Sequence, residues 1–252
     1  MKLNVVRASL GLEWVKLGVR TFGKQPLAMG GLFFIFMGFV SILSMLPMVG
    51  TIVALSLLPA ATVGLMEATR LAESGTFPLP RVLATAFLSS KGQSKQMLSL
   101  GAMYAAAFVL TMGLTAILDG GHFASMYLFG QEIDAEALSD PSVQNAMMLA
   151  TLLYVPLASL FWHAPALLHW NQISPAKALF FSAMACWKNW RAMGLFMLGW
   201  TLVFVAVAVV VTLLSGMIGP EFLAAAIVPA ALLMAAMFST SIYFTYRDSF
   251  SQ

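Results

Sequence analysis

The chain has 252 residues, 60% of them apolar and only 9% charged, with a formal net charge of +3. Ordinary soluble domains carry roughly 25% charged residues, so that class is excluded. The basic residues are spread along the chain rather than gathered, which argues against a nucleic-acid partner, and the single cysteine, Cys186, permits no internal disulfide.

In chain order, residues 1–25 read as a cytoplasmic amphipathic segment. On a helical wheel Ser9, Glu13, Lys16, Arg20 and Lys24 fall within roughly 80°. Leu10, Leu12, Trp14, Val15, Leu17, Val19 and Phe22 occupy the rest. A narrow polar stripe beside a wide apolar face suits a helix lying in the membrane interface. The first apolar stretch, 26–46, is too long for a signal-peptide core and has no small-residue cleavage site at its end, so a retained membrane helix is expected. The second, 48–69, contains Pro59. A weaker amphipathic segment at about 79–96, loosened by Ser89, Ser90 and Gly92, leads into the third at 97–118.

The connection at 119–145 opens with the turn signal Asp119-Gly120-Gly121 and carries Glu132, Asp134, Glu136 and Asp140. Phe123, Met126, Tyr127, Leu128 and Phe129 suggest a short segment on the outer interface, and Asp140-Pro141 reads as N-cap and first residue of the next helix. The fourth stretch, 146–169, contains Pro156, His163, Pro165 and His169. A third amphipathic segment follows Pro175, with Lys177, Lys188 and Arg191 on one side. The stretches 192–216 and 222–246, the latter with Pro229, complete the chain. Each is near the ~20 residues needed to cross ~30 Å of hydrocarbon.

The thirteen Lys and Arg residues all fall on one side of this pattern, and the segments 46–48, 119–145 and 216–222 contain none. Basic residues are retained on the cytoplasmic side, so both termini are expected there and 119–145 outside. The expected fold is an all-α polytopic membrane protein forming one integral membrane domain. Its six transmembrane helices are arranged as three helical hairpins, with amphipathic cytoplasmic interfacial helices. The three units, each with proline in the returning helix, read as a repeat.

The chemistry-bearing residues are few. The acidic loop lacks the Asp-x-Asp-x-Asp-Gly spacing of a calcium site and reads as solvated. His163 and His169 lie about 120° apart on a helix and do not share a face as metal ligands would, so no metal site is expected. His163 is a polar residue at depth: it either bonds a carbonyl freed by a proline kink or serves function. No Asp, Glu, Lys or Arg falls in the middle of an apolar stretch, which counts against a proton-coupled carrier or pump. There is no Gly-x-x-x-Gly pair. No nucleophile elbow, His-Glu-x-x-His or phosphate-binding loop occurs either, so no catalytic residue, enzyme activity or cofactor is expected.

The most suggestive surface is the cytoplasmic rim, where Lys188, Trp190, Arg191, Tyr246 and Arg247 put aromatics beside cations. An ordinary aromatic belt with positive-inside charge would look the same. The favoured role is non-enzymatic engagement of membrane lipids or another membrane protein through this rim. The alternative is a small-molecule transporter with a path between the proline-kinked helices past His163; His169, the other candidate of an intramembrane polar site, sits near the cytoplasmic end and also reads as interfacial. Oligomeric state is left open.

Four strings carry a resemblance: Lys24-Gln25-Pro26, Ala164-Pro165-Ala166-Leu167, Lys188-Asn189-Trp190-Arg191 and Tyr246-Arg247-Asp248-Ser249-Phe250. With them, nearly the whole chain resembles an uncharacterised family of proteobacterial six-helix inner-membrane proteins. That resemblance implies a bacterial inner-membrane location and no particular activity. More distantly, the amphipathic-helix-plus-hairpin arrangement is similar to the membrane domain attached to some glycerophosphodiester phosphodiesterases. No catalytic residue of those enzymes maps here.

Overall fold

The computed structural model describes residues 2–46, 49–88, 91–131 and 138–251. The helices are α1 Leu10–Lys24, α2 Pro26–Ser44, α3 Gly50–Glu73, a short α4 Thr85–Leu88 and α5 Lys91–Asp119. They continue with α6 His122–Phe129, α7 Pro141–Phe161, α8 Ala164–Asn171, α9 Pro175–Lys188, α10 Trp190–Ile218 and α11 Pro220–Ser249. Among the described residues six spans are long and apolar enough to cross a membrane: α2, α3, most of α5, α7 with α8, α10 and α11. Among the described residues only one pair of two-residue strands accompanies them, so the protein is all-α and polytopic.

Apart from α2, which ends at Ser44 within its stretch, the helices extend beyond the apolar stretches that announce them at one or both ends. α5 begins at Lys91 rather than near 97, and α7 at Pro141 rather than near 146. Hydropathy marks the part of a helix meant for hydrocarbon, whereas the backbone ladder continues through polar residues as readily. The segment at 79–96 therefore divides: a 3₁₀ turn at Pro80–Ala84 and α4 precede Lys91, and residues 91–96 belong to the long α5. Pro59, Pro156 and Pro229 lie inside α3, α7 and α11. Pro165 instead stands in the first turn of α8, where a missing N–H costs nothing.

Contacts divide the chain into two compact units. One comprises Met1–Phe36, Thr62–Thr85 and Ala185–Gln252, the other Met37–Ala61 and Ala86–Met184. α2 and α3 contribute residues to both.

In the first unit α10 and α11 pack together, turning at Gly219, whose φ of +137° favours a residue without Cβ. α1 lies against both helices. Its buried residues Gly11, Trp14, Val15, Gly18, Thr21 and Phe22 recur at helical spacing, opposite the polar stripe. Close approach depends on two glycines: a Cβ on Gly11 would meet the Ala192 carbonyl oxygen, and one on Gly18 would meet Ser241. The wide apolar face of α1 is thus shared. Its centre is buried on protein, while Leu12 and Val19 on its flank remain exposed. Trp14 makes an edge contact with Phe196, and the Trp200 indole N–H donates to Ser241 Oγ at 3.0 Å. The chain ends meet, Lys2–Leu3 pairing antiparallel with Phe250–Ser251.

In the second unit α5 packs on α7, and α6 contributes Phe123 and Ala124 to a cluster with Met112, Ala146 and Ala150. Asp119 caps α6, its two carboxylate oxygens accepting from the N–H groups of Gly121 and Phe123 at 2.9 and 2.7 Å. Phe123 is therefore turned inward, while Tyr127 and Phe129 stay exposed. Asp140 caps α7, accepting from the Ser142 N–H at 2.7 Å.

Candidate functional site

The rim is organised by Asn189, which separates α9 from α10 and is only 2% exposed. Its Oδ1 accepts from the Val6 N–H at 2.9 Å, and its Nδ2 donates to the Asn4 carbonyl at 3.0 Å and to Ser249 Oγ at 3.4 Å. One amide side chain thus joins both chain ends to the α9–α10 junction. Turning Asn189 inward turns its neighbours outward. Trp187 is 79% and Trp190 65% exposed, and Lys188 and Arg191 are exposed beside them. The Arg191 guanidinium lies 5.4 Å from the Trp190 ring centroid, a cation–π arrangement.

The other two rim candidates are used internally. Tyr246 is buried against Phe250, with ring centroids 5.4 Å apart. Arg247 donates to Glu73 Oε1 at 2.7 Å and to Asp248 Oδ1 at 2.8 Å, and lies over the Phe244 ring. Asp248 also accepts from the Trp14 indole at 2.8 Å, and Lys24 donates to the Glu73 carbonyl at 3.0 Å. Arg247 is therefore neutralised within a latch joining α1, α3 and α11. Of the five rim residues, Lys188, Trp190 and Arg191 form an exposed patch that Trp187 extends. The sequence pattern Trp-Lys-Asn-Trp-Arg shows the outward residues but gives no sign that the asparagine between them is the anchor. Cys186, the residue before Trp187, is buried, and desolvation pushes its thiol up to about 12, far from a reactive thiolate.

The two histidines belong to the second unit and are held in different ways. His163, at 0% exposure, sits at the break between α7 and α8. There the Ser182 hydroxyl enters the helical ladder. It accepts from the His163 N–H at 2.9 Å and donates to the Ser159 carbonyl at 2.8 Å, replacing the direct bond between those groups. The break is thus satisfied by a serine from α9, a partner the sequence does not signal. His169 stands in the last turn of α8, its carbonyl accepting from Gln93 Nε2 at 2.6 Å. Among the described residues no group of three His, Cys, Asp or Glu side chains could hold a metal ion. Glu132, Asp134 and Glu136 of the acidic loop lie outside the described residues. Asp140 serves as a helix cap, and the Ser142 hydroxyl and N–H hold its carboxyl below the usual range.

Six apolar spans among the described residues define a polytopic α-helical membrane protein. The chain is 32% identical over 255 residues to a Burkholderia thailandensis protein named a probable inner membrane protein, covering 99% of this chain and 94% of that one. It belongs to the same family of bacterial inner-membrane proteins, which makes it a multi-pass inner-membrane protein. No family model matches the chain. No solved structure matches it either. Nothing found supports the more distant likeness to phosphodiesterase membrane domains.

Proposed function

We propose that the protein has a non-enzymatic role and engages anionic lipid headgroups of the inner leaflet through the Trp187–Arg191 patch. The observation that carries this reading is the exposure of two tryptophans and two cations around one buried, fully engaged asparagine. Tryptophans settle at the headgroup level, and each nearby cation contributes on the order of 1 kcal/mol at an anionic surface. Lys188 and Arg191 together are then worth about 2 kcal/mol, roughly 30-fold in affinity.

The reading requires both termini to be cytoplasmic. The one-sided distribution of all thirteen basic residues supports that orientation, and so does the pairing of the two chain ends. Reporter fusions at positions 131 and 252 should report opposite compartments. The same compartment at both would remove the orientation.

The lipid reading is tested by reconstitution into nanodiscs of mixed phosphatidylglycerol and phosphatidylcholine, gentle extraction, and mass spectrometry of what remains bound. The Lys188→Ala/Arg191→Ala pair should lose most retained phosphatidylglycerol, whereas Arg247→Ala should not. Retention unchanged by the pair sinks the reading, and an acidic protein retained in place of lipid would redirect it to a partner. A solute path past His163 gains no support from geometry, because that side chain is fully buried beside a serine-filled break.

A further inference from the structure

The α10–α11 hairpin carries a second feature at the end away from the rim. Between the two helices lies a groove of about 380 Å³, lined by Phe204, Ala208, Val211, Ile227 and Ala231 among other apolar residues, with Thr212 as its one hydroxyl. This is within the range of roughly 300–1,000 Å³ typical of ligand pockets. Pro229 has no N–H to offer the Ala225 carbonyl, and its ring presses on that turn of α11, beside the lining residues Ala230 and Ala231.

Depth decides what can fill it. At 1.5 Å per residue, α10 runs about 40 Å from Trp190 to Ile218, so the turn at Gly219 lies at the opposite membrane face from Asn189. Counting back from the turn, the lining begins at Thr212, about 9 Å in, and ends at Phe204, about 21 Å in. On α11 it spans a similar depth, from Leu223 to Met234. The groove therefore occupies the hydrocarbon of one leaflet, where an unfilled space forfeits the dispersion contacts of its lining.

The hairpin turn beyond the groove, two residues from the lining residue Leu223, has a definite charge. Glu221 stands exposed in the first turn of α11, and residues 216–222 contain no Lys or Arg. Among the described residues no cation pairs with it. An acyl chain in the groove brings its headgroup to this carboxylate, which repels an anionic head and attracts an ammonium. We propose that the groove binds one acyl chain of a phospholipid with a primary ammonium headgroup, of which phosphatidylethanolamine is the simplest, with the ammonium at Glu221. The headgroup end of this site is about 40 Å from the rim patch and selects the opposite headgroup charge, so either can fail without the other.

The test uses the full chain in nanodiscs of equal phosphatidylethanolamine, phosphatidylcholine and phosphatidylglycerol, with a trace of phosphatidylethanolamine bearing a diazirine on its acyl chain. After illumination, label is expected on peptides covering residues 204–212 and 223–234, competed by unlabelled phosphatidylethanolamine more strongly than by phosphatidylglycerol. Ala208→Phe and Ala231→Phe, which fill the groove from either helix, should each abolish that label. Glu221→Gln, on the surface, should leave the label in place but lower the preference for the ammonium lipid about threefold, the size of one partly exposed ion pair. Label elsewhere only, equal competition by the three lipids, or a preference unchanged in Glu221→Gln overturns the proposal. So does cross-linking of residues 204–212 between two copies, which would make the occupant another protein chain.

Discussion

Replacing Asn189 with alanine tests how the rim is held. The amide makes two well-formed bonds, to the Val6 N–H and the Asn4 carbonyl at 2.9 and 3.0 Å, and a longer one to Ser249 Oγ at 3.4 Å. A net hydrogen bond is worth about 0.5–1.5 kcal/mol, and the long contact adds little, so the loss is about 1–3 kcal/mol. It falls on a local opening, the release of the N-terminal segment, because α1 keeps its own contacts: the Trp14 bond to Asp248 and the close approaches at Gly11 and Gly18. The Val6 amide should then exchange with solvent roughly 5- to 150-fold faster in hydrogen-exchange mass spectrometry. Amides of α1 should change far less. Asn189→Asp keeps an acceptor for Val6 but turns a carboxylate oxygen toward the Asn4 carbonyl, so it should not rescue the alanine variant. Unchanged exchange at Val6, or equal acceleration throughout α1, would refute the anchoring argument.

Three further outcomes follow from other contacts. Gly18→Ala should lower thermal stability by about 1–3 kcal/mol because its Cβ meets the α11 backbone at Ser241, whereas Gly23→Ala on the same helix, with open space around it, should be neutral or stabilising by up to about 1 kcal/mol. Cys186, with its thiol raised to about 12, should stay unlabelled by a maleimide at pH 8 until the protein is denatured; rapid native labelling would contradict its burial. Hydrogen bonds from Ser142 lower the Asp140 pKa, so its cap contributes above the ordinary aspartate range and is lost as pH falls through the depressed folded value. The Ser142 amide should therefore exchange faster only in strong acid, and in Asp140→Ala at every pH.

Sequence alone determined the features that depend on residues near one another in the chain. Transfer of a side chain into hydrocarbon is nearly additive along a stretch, so six apolar runs announce six spans whatever packs beside them. The Asp140-Pro141 cap is equally local, needing only the next two residues. The polar stripe of α1 was legible too, but not what covers the centre of its apolar face, because lipid and the α10–α11 hairpin ask for the same residue types. The rim divided in the same way. Lys188, Trp190 and Arg191 keep the exposure expected of them, whereas Arg247 is claimed by Glu73, 174 positions away. Asn189 is an anchor only because Asn4 and Val6, more than 180 positions earlier, come to meet it. Ser182, one of many serines, acquires its role only when α9 places it in the gap between Ser159 and His163. Such pairings join chemically ordinary residues across long separations, so composition and periodicity carry no trace of them, and tertiary structure alone decides which polar groups are engaged and which face outward.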